Sequence, residues 1–205
     1  MTRFLLCLLA AACIAALPAD LPLAAAEPPG QTQLFGVQAE GSSFLYVFDR
    51  SLSMKGQPLA AAKRELVASL GRLKRLQQFQ ILFYNQNARL MQPQQMQFAD
   101  ESGLRAAESY IAGVQASGAT DHVQALQLAL RMRPDVIFFL TDADEPQLSA
   151  AELESIQRKN LGSIIHVIEF KEGQTQGAGT TLRKLAEQNR GEYKFVDVSK
   201  LSAGP

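Results

Sequence analysis

Phe44-Leu45-Tyr46-Val47-Phe48-Asp49-Arg50-Ser51-Leu52-Ser53 runs from five apolar residues straight into a carboxylate and two hydroxyls at alternate positions. A short unbroken apolar run, rich in aromatic residues and ended by polar ones, predicts a strand buried on both faces, as in a parallel sheet. The loop behind it is an oxygen-only cup suited to a hard cation. The same signature recurs at residues 136–140, where Val136 to Leu140 lead into Thr141 and Asp142. Further strands are expected at 79–84, 88–91, 164–170 and 193–198.

Helical periodicity fills the intervals. Leu59, Ala62, Leu66, Val67, Leu70 and Leu73 share one helical face, and Leu104, Ala107, Ile111 and Val114 share another. A third helix should open at Asp121 and stop before Arg133-Pro134, because the residue ahead of a proline is pushed out of the α region. Ser149 with Glu152 reads as a capping box, flanked by Leu148 and Leu153 as a hydrophobic staple. The last helix, around residues 181–189, is expected to end at Gly191, the residue type best suited to a left-handed terminus.

A helix between most strands demands crossover connections. The fold class is therefore α/β: a doubly wound, Rossmann-like, mostly parallel six-stranded sheet with helices on both faces. Asn85-Gln86-Asn87 is too short for a crossover, so 79–84 and 88–91 should make a hairpin that leaves one antiparallel edge strand. Open sheets of this kind place ligand sites at the carboxyl ends of strands where the strand order reverses. Asp49 and Asp142 each stand directly after such an end.

The chain has 205 residues with 20 basic and 20 acidic side chains, enough for one domain and with no charge excess pointing to nucleic acid or an anionic membrane surface. Residues 1–26 read as a bacterial-type secretory signal peptide: Arg3, an apolar stretch, then Pro18 and Pro22 before Ala24-Ala25-Ala26. Cleavage after Ala26 would leave a mature chain without a membrane span, exported to the periplasm, cell envelope or medium. An uncleaved anchor is the competing reading, and lipidation at Cys13 a third. Both cysteines, Cys7 and Cys13, fall in this leader, so the mature chain would contain no thiol. Residues 27–39, with Pro28, Pro29, Gly30 and Gly36, read as a tether, 40–200 as the domain, and 201–205 as a tail. Nothing in the sequence sets the oligomeric state.

Five oxygen-bearing residues on three loops then stand out: Asp49, Ser51 and Ser53; Thr120 in Ser117-Gly118-Ala119-Thr120-Asp121; and Asp142. Carboxylate and hydroxyl oxygens without thiol or clustered imidazole favour magnesium, or manganese in its place. In order and context these residues resemble the metal-ion-dependent adhesion site of the von Willebrand factor type A domain, written D-x-S-x-S, then Thr, then Asp. The likeness covers about residues 40–200. Leu52, Ala119 and Ala143 stand where many members carry glycine.

The resemblance implies a non-enzymatic protein-binding module. One aspartate would act through water, leaving the ion an open position for an Asp or Glu of a protein partner. Arg50, Met54, Lys55, His122, Asp144 and Glu145 would form the ligand-contact rim, each also having a plainer reading as a loop charge, a turn residue or a surface histidine. The family also implies that the last helix moves with ion coordination; the glycine-containing loop 173–179 before it reads as a hinge or equally as a passive loop. Two other classes compete: a metal-dependent hydrolase or phosphatase, and a structural envelope module with a degenerate site. Neither histidine is placed as an obvious general base, and no phosphate loop ending in Gly-Lys-Ser/Thr is present. His166, inside an expected buried strand, should be a hydrogen-bonded core residue. Tyr84 and Tyr193 need no role beyond packing.

Overall fold

A computed structural model describes residues 30–142, 146–171, 173 and 180–201. The expected leader with its cysteines, Asp144 and Glu145, residues 174–179 of the expected hinge, and 202–205 lie outside the described residues. Among the described residues no helix is long and apolar enough to cross a membrane.

The apolar runs form the central strands. β3 (Ser43–Asp49) is flanked in parallel by β4 (Gln78–Tyr84) and β7 (Val136–Thr141), and β8 (Ile164–Lys171) and β9 (Tyr193–Asp197) extend the sheet beyond β7. β5 (Ala88–Leu90) folds back antiparallel on β4 through the Asn85-Gln86-Asn87 turn, giving the order β5-β4-β3-β7-β8-β9. All six expected strands are present, in a doubly wound sheet with helices on both faces. A seventh, the two-residue β6 (Gln97–Phe98), also pairs antiparallel with β4. Two residues are too few for a periodic signal.

Alternation along each strand sorts the core into two layers. Phe44, Tyr46, Phe48, Phe83, Phe138 and Leu140 pack under α1 (Gln57–Leu70) and α2 (Glu101–Gly113). Leu45, Val47, Tyr84, Ile137 and Phe139 face α3 (His122–Arg131), α4 (Ala150–Lys159) and α5 (Thr180–Gln188). The starts of α2, α3 and α4 follow the capping side chains of Asp100, Asp121 and Ser149. Asp121 accepts from the Gln124 N–H at 2.9 Å, and Ser149 with Glu152 forms the full capping box, with Leu148 and Leu153 both buried. His166 is buried as expected, and its Nδ1 accepts from the Glu192 N–H at 3.1 Å.

Two expectations need correction. Residues 30–39 are not a tether: β1 (Gly30–Leu34) and β2 (Val37–Gly41) form an antiparallel hairpin that buries Leu34 and Val37 completely and docks on α1. There the Thr32 hydroxyl donates to the Ser69 carbonyl at 3.0 Å, and Glu65 accepts from the Phe35 N–H at 3.0 Å. Proline and glycine obscured a period-two pattern only five residues long. The second concerns the end of α5. Arg190, at φ 61°, takes the left-handed conformation, whereas Gly191 is required because a Cβ there would stand 1.8 Å from the Ile165 carbonyl oxygen. Its role is close approach between chain segments, not handedness.

Candidate functional site

β3 ends at Asp49, and parallel register places Asp49 beside Tyr84 of β4, with Thr141 one step beyond the Phe48–Leu140 pair. Asp49 is fully buried. Its Oδ1 accepts the Ser51 N–H at 2.7 Å and its Oδ2 accepts the Thr141 hydroxyl at 2.9 Å, so the carboxylate is fixed by its own loop and by the neighbouring strand. Ser51 and Ser53 point the same way, their hydroxyl oxygens 3.0 Å apart. A short 3-10 turn, Leu52–Met54, holds that arrangement, with the Met54 N–H on the Ser51 carbonyl at 3.1 Å.

Backbone bonds stitch the second loop to the first. The Leu52 N–H donates to the Gly118 carbonyl at 3.0 Å, and the Ser117 N–H donates to the Arg50 carbonyl at 2.8 Å. The end of β4 supplies a third anchor: the Asn85 carbonyl accepts from the Asp121 N–H at 3.0 Å, and its side-chain amide donates to the Ser117 carbonyl at 2.6 Å. Gln86 Oε1 accepts the Ala119 N–H at 2.9 Å. Gly118 sits at φ +79°, and a Cβ there would come within 1.8 Å of Gln86 Oε1, so both conformation and space call for glycine. Thr120, half-buried, lies between these anchors, on a loop tied to that of Asp49.

Asp142 completes the cluster from β7. Its Oδ1 is buried with no hydrogen-bond partner among the described residues, while hydrogen bonds from the Ser53 side chain and from its own backbone reach its carboxylate. Burial pushes the Asp49 carboxyl up to about 6, against the pull of the Ser51 backbone and hydroxyl bonds, and the neighbouring Asp142 charge adds to the rise. Burial also raises Asp142, with the Ser53 bond and the Lys171 charge pulling the other way. A buried carboxylate and a half-buried one beside it, the second raising the first and carrying an orphaned oxygen, are what a bound cation would relieve. Among the described residues no three His, Cys, Asp or Glu side chains cluster, so an ion held here must draw on hydroxyl oxygens.

The expected rim divides. Lys55 is exposed. Arg50 is half-buried and tied by Nη1 to the Gln115 carbonyl at 3.2 Å and the Ser117 hydroxyl at 2.8 Å. Met54 is not a rim residue: it is fully buried in the core under α1, because the tight turn after Ser51 directs it inward. His122 is not a surface histidine either. It is 1% exposed, bonded through Nδ1 to the Tyr84 hydroxyl at 3.0 Å and packed edge-on against the Phe139 ring. Asp144 and Glu145 lie outside the described residues.

Sequence reasoning passed over Asn85, Gln86 and Gly118, which hold the loops together without contributing to the oxygen cup. Their signal was available: Asn85-Gln86 follows β4 at the same sheet edge as Asp49, and Gly118 is the one residue of its loop free to take positive φ.

An open α/β sheet with a cluster of carboxylate and hydroxyl oxygens at its carboxyl edge defines the class. A sequence profile described as the von Willebrand factor type A domain matches residues 43–195, and the chain belongs to that family. No curated protein matches the chain. Among solved structures, a von Willebrand factor type A protein from Catenulispora acidiphila superposes with TM-score 0.69 at 21% identity, over 86% of this chain and 48% of that one. The chain thus spans about half the length of that relative. The proximal thread matrix protein 1 of the mussel byssus, described with a zinc-occupied MIDAS motif, matches with TM-score 0.58 and 19% identity over 78% of this chain and 42% of that one. The manganese-loaded TRAP protein of Plasmodium vivax matches with TM-score 0.53 and 16% identity over 78% and 70%. At these identities the structural likenesses establish the fold.

Proposed function

We propose that the protein is an exported, non-enzymatic binding module that holds magnesium or manganese at Asp49, Ser51, Ser53, Thr120 and Asp142 and binds an Asp or Glu of a protein partner through the ion. The observation that carries this reading is the orphaned, buried Asp142 Oδ1 beside the fixed Asp49 carboxylate and the paired hydroxyls of Ser51 and Ser53. A divalent ion would supply a positive centre with room for an outside carboxylate. The residues of this chain do the rest: Thr141 and the Ser51 N–H hold Asp49 in one orientation, and two backbone bonds tie the loop that carries Gly118 and Thr120 to the loop of Asp49. The nearest histidine, His122, is buried and bonded to Tyr84, which supports binding over general-base chemistry. Envelope export rests on the composition of residues 1–26.

Calorimetric titration with each ion tests the metal, and pull-down from envelope extracts with magnesium or with chelator tests the partner. Heat on ion addition and a captured protein released by chelator are expected. Silence from both ions at millimolar concentration would sink the reading.

Acidity gives a further check. Asp49 must be ionised to hold a cation, and its folded carboxyl is pushed up to about 6. Protons therefore compete with the ion as the pH falls through 6, and manganese affinity should be roughly tenfold weaker at pH 5 than at pH 7. An affinity unchanged between those two values would contradict the buried-carboxylate account.

A further inference from the structure

A second charged feature adjoins the metal loops on the α1–α2 side of the sheet. Beneath the end of α2, a pocket of about 390 Å³ is lined by Arg50, Phe83, Arg89, Tyr110 and the strand of chain from Gly113 to Ser117. Two guanidinium groups face it, and among the described residues neither forms an ion pair. A planar guanidinium is built for a carboxylate, and two of them share this one concavity beside the metal loops.

Arg50 is held for this task by its surroundings. Its backbone is clamped at both ends, the N–H on the Tyr84 carbonyl at 2.7 Å and the carbonyl on the Ser117 N–H at 2.8 Å. Its side chain therefore leaves the metal loop in a set direction, away from Asp49 and Ser51. Both bonds it makes in the pocket wall come from Nη1, to Gln115 and Ser117, so Nε and Nη2 keep donors for an incoming group. The Tyr110 hydroxyl donates to the Arg89 carbonyl at 3.1 Å, fixing the opposite wall, and the Tyr110 ring leans on Phe83 with centroids 5.9 Å apart. Burial raises the Tyr110 phenol, and the Arg50 charge, a backbone hydrogen bond at Phe83 and the Arg89 charge pull it back down.

The other flank of the metal loops has the opposite character. The groove of about 680 Å³ that runs from Thr120 between α3 and the start of α4 is lined by Asp121 and Glu152, with no Lys or Arg among the described residues. An anion arriving beside the ion is therefore drawn to the Arg50 side and turned away from the other.

We infer that the pocket formed by Arg50, Arg89 and Tyr110 is a subsite for a second carboxylate of the partner, so that the protein recognises a pair of acidic side chains, one on the ion and one on the arginines. This rests on the proposed metal-dependent reading. The pair would be close in the partner's sequence or surface, since Arg50 lies between two residues of the oxygen cup. The subsite sets which acidic residue is chosen, and the ion alone would accept any.

Fluorescence polarisation with synthetic peptides tests it. The probes carry one Asp and one Glu separated by one to four Ser, in both chain orders, each matched by a peptide with Gln in place of Glu. In magnesium or manganese, the best-spaced acidic pair should bind roughly fivefold more tightly than its Gln counterpart, the scale of one favourable charge pair near the surface. Arg89→Gln, at an exposed position on β5, should erase that preference while leaving the calorimetric ion titration unchanged. Equal binding of Glu and Gln peptides at every spacing, with ion dependence retained, would overturn the subsite and leave the metal reading intact. No peptide binding at all, with the ion bound, overturns the subsite as well. No ion binding in the wild type removes the metal reading and the subsite with it.

Discussion

In chelator at pH 7, Asp49→Asn is expected to unfold at higher urea than the wild type, and neither magnesium nor manganese should then shift its transition. Asparagine is nearly isosteric and keeps an oxygen to accept the Ser51 N–H, while the Thr141 hydroxyl can rotate to accept where it formerly donated. What disappears is a buried negative charge. Since the folded carboxyl is raised from 3.8 to about 6, folding favours its protonated form. The stability this group contributes is therefore complete below 3.8 and is lost as the pH rises through 6, at a cost of roughly 3 kcal/mol at pH 7. The variant's advantage should accordingly shrink at pH 4.5. A bound ion offsets the same cost in the wild type, because a ligand of the folded state stabilises it by mass action. Urea titrations at both pH values, with chelator and with manganese, read all of this. If the Asp49→Asn variant proves less stable than wild type at pH 7 in chelator, the account is refuted, and an undiminished response to manganese would refute it equally.

Gly191→Ala should have the largest effect on stability. The added methyl would overlap the Ile165 carbonyl, which is backbone inside β8 and cannot swing aside as a side chain could. Relief requires moving the α5–β9 connection away from the sheet, weakening the Val167 N–H bond to the Glu192 carbonyl, now 2.8 Å. A loss of about 3 kcal/mol is expected, or roughly 10 °C in Tm for a domain of this size. Because Gly191 precedes β9, it lies at the amino edge of the sheet, opposite Asp49. Ion affinity per folded molecule should be untouched. A Tm within 2 °C of wild type, as an approximate threshold, would show that the contact yields more easily than its geometry implies.

The central sheet was readable because each of its strands carries a signal that no competing local preference contradicts. Phe44 to Phe48 and Val136 to Leu140 can be buried on both faces only as interior strands, and Asn85-Gln86-Asn87 leaves room for nothing but a hairpin. The candidate oxygens of Asp49, Ser51, Ser53 and Asp142 were readable for a related reason: they follow those strands directly, so strand direction brings them to one edge. The N-terminal hairpin was hidden because Gly30 and Gly36 look like linker residues, while its burial depends on Ser69 and Glu65, some thirty residues or more away. Met54 and His122 were misplaced for the same cause. Whether a loop residue turns inward depends on a turn's tightness or on a remote hydroxyl such as that of Tyr84, and neither is written locally.

The hairpin also bears on how the domain carries load. Gly30 pairs with Gly41 at the open end of the β1–β2 ribbon, beside Asp135 and Gln77 at the amino edge of the sheet, whereas the oxygen cup lies at the far edge, roughly 20 Å away along a seven-residue strand. Tension between chain upstream of residue 30 and a partner held at Asp49 would meet two kinds of resistance in turn. The ribbon peels from Gly30 one pair at a time, releasing slack as it opens. β3, gripped in parallel by β4 and β7 along nearly its whole length, is loaded in shear, where many bonds must yield together. The domain thus has a compliant end and a stiff one, and the candidate binding edge belongs to the stiff one.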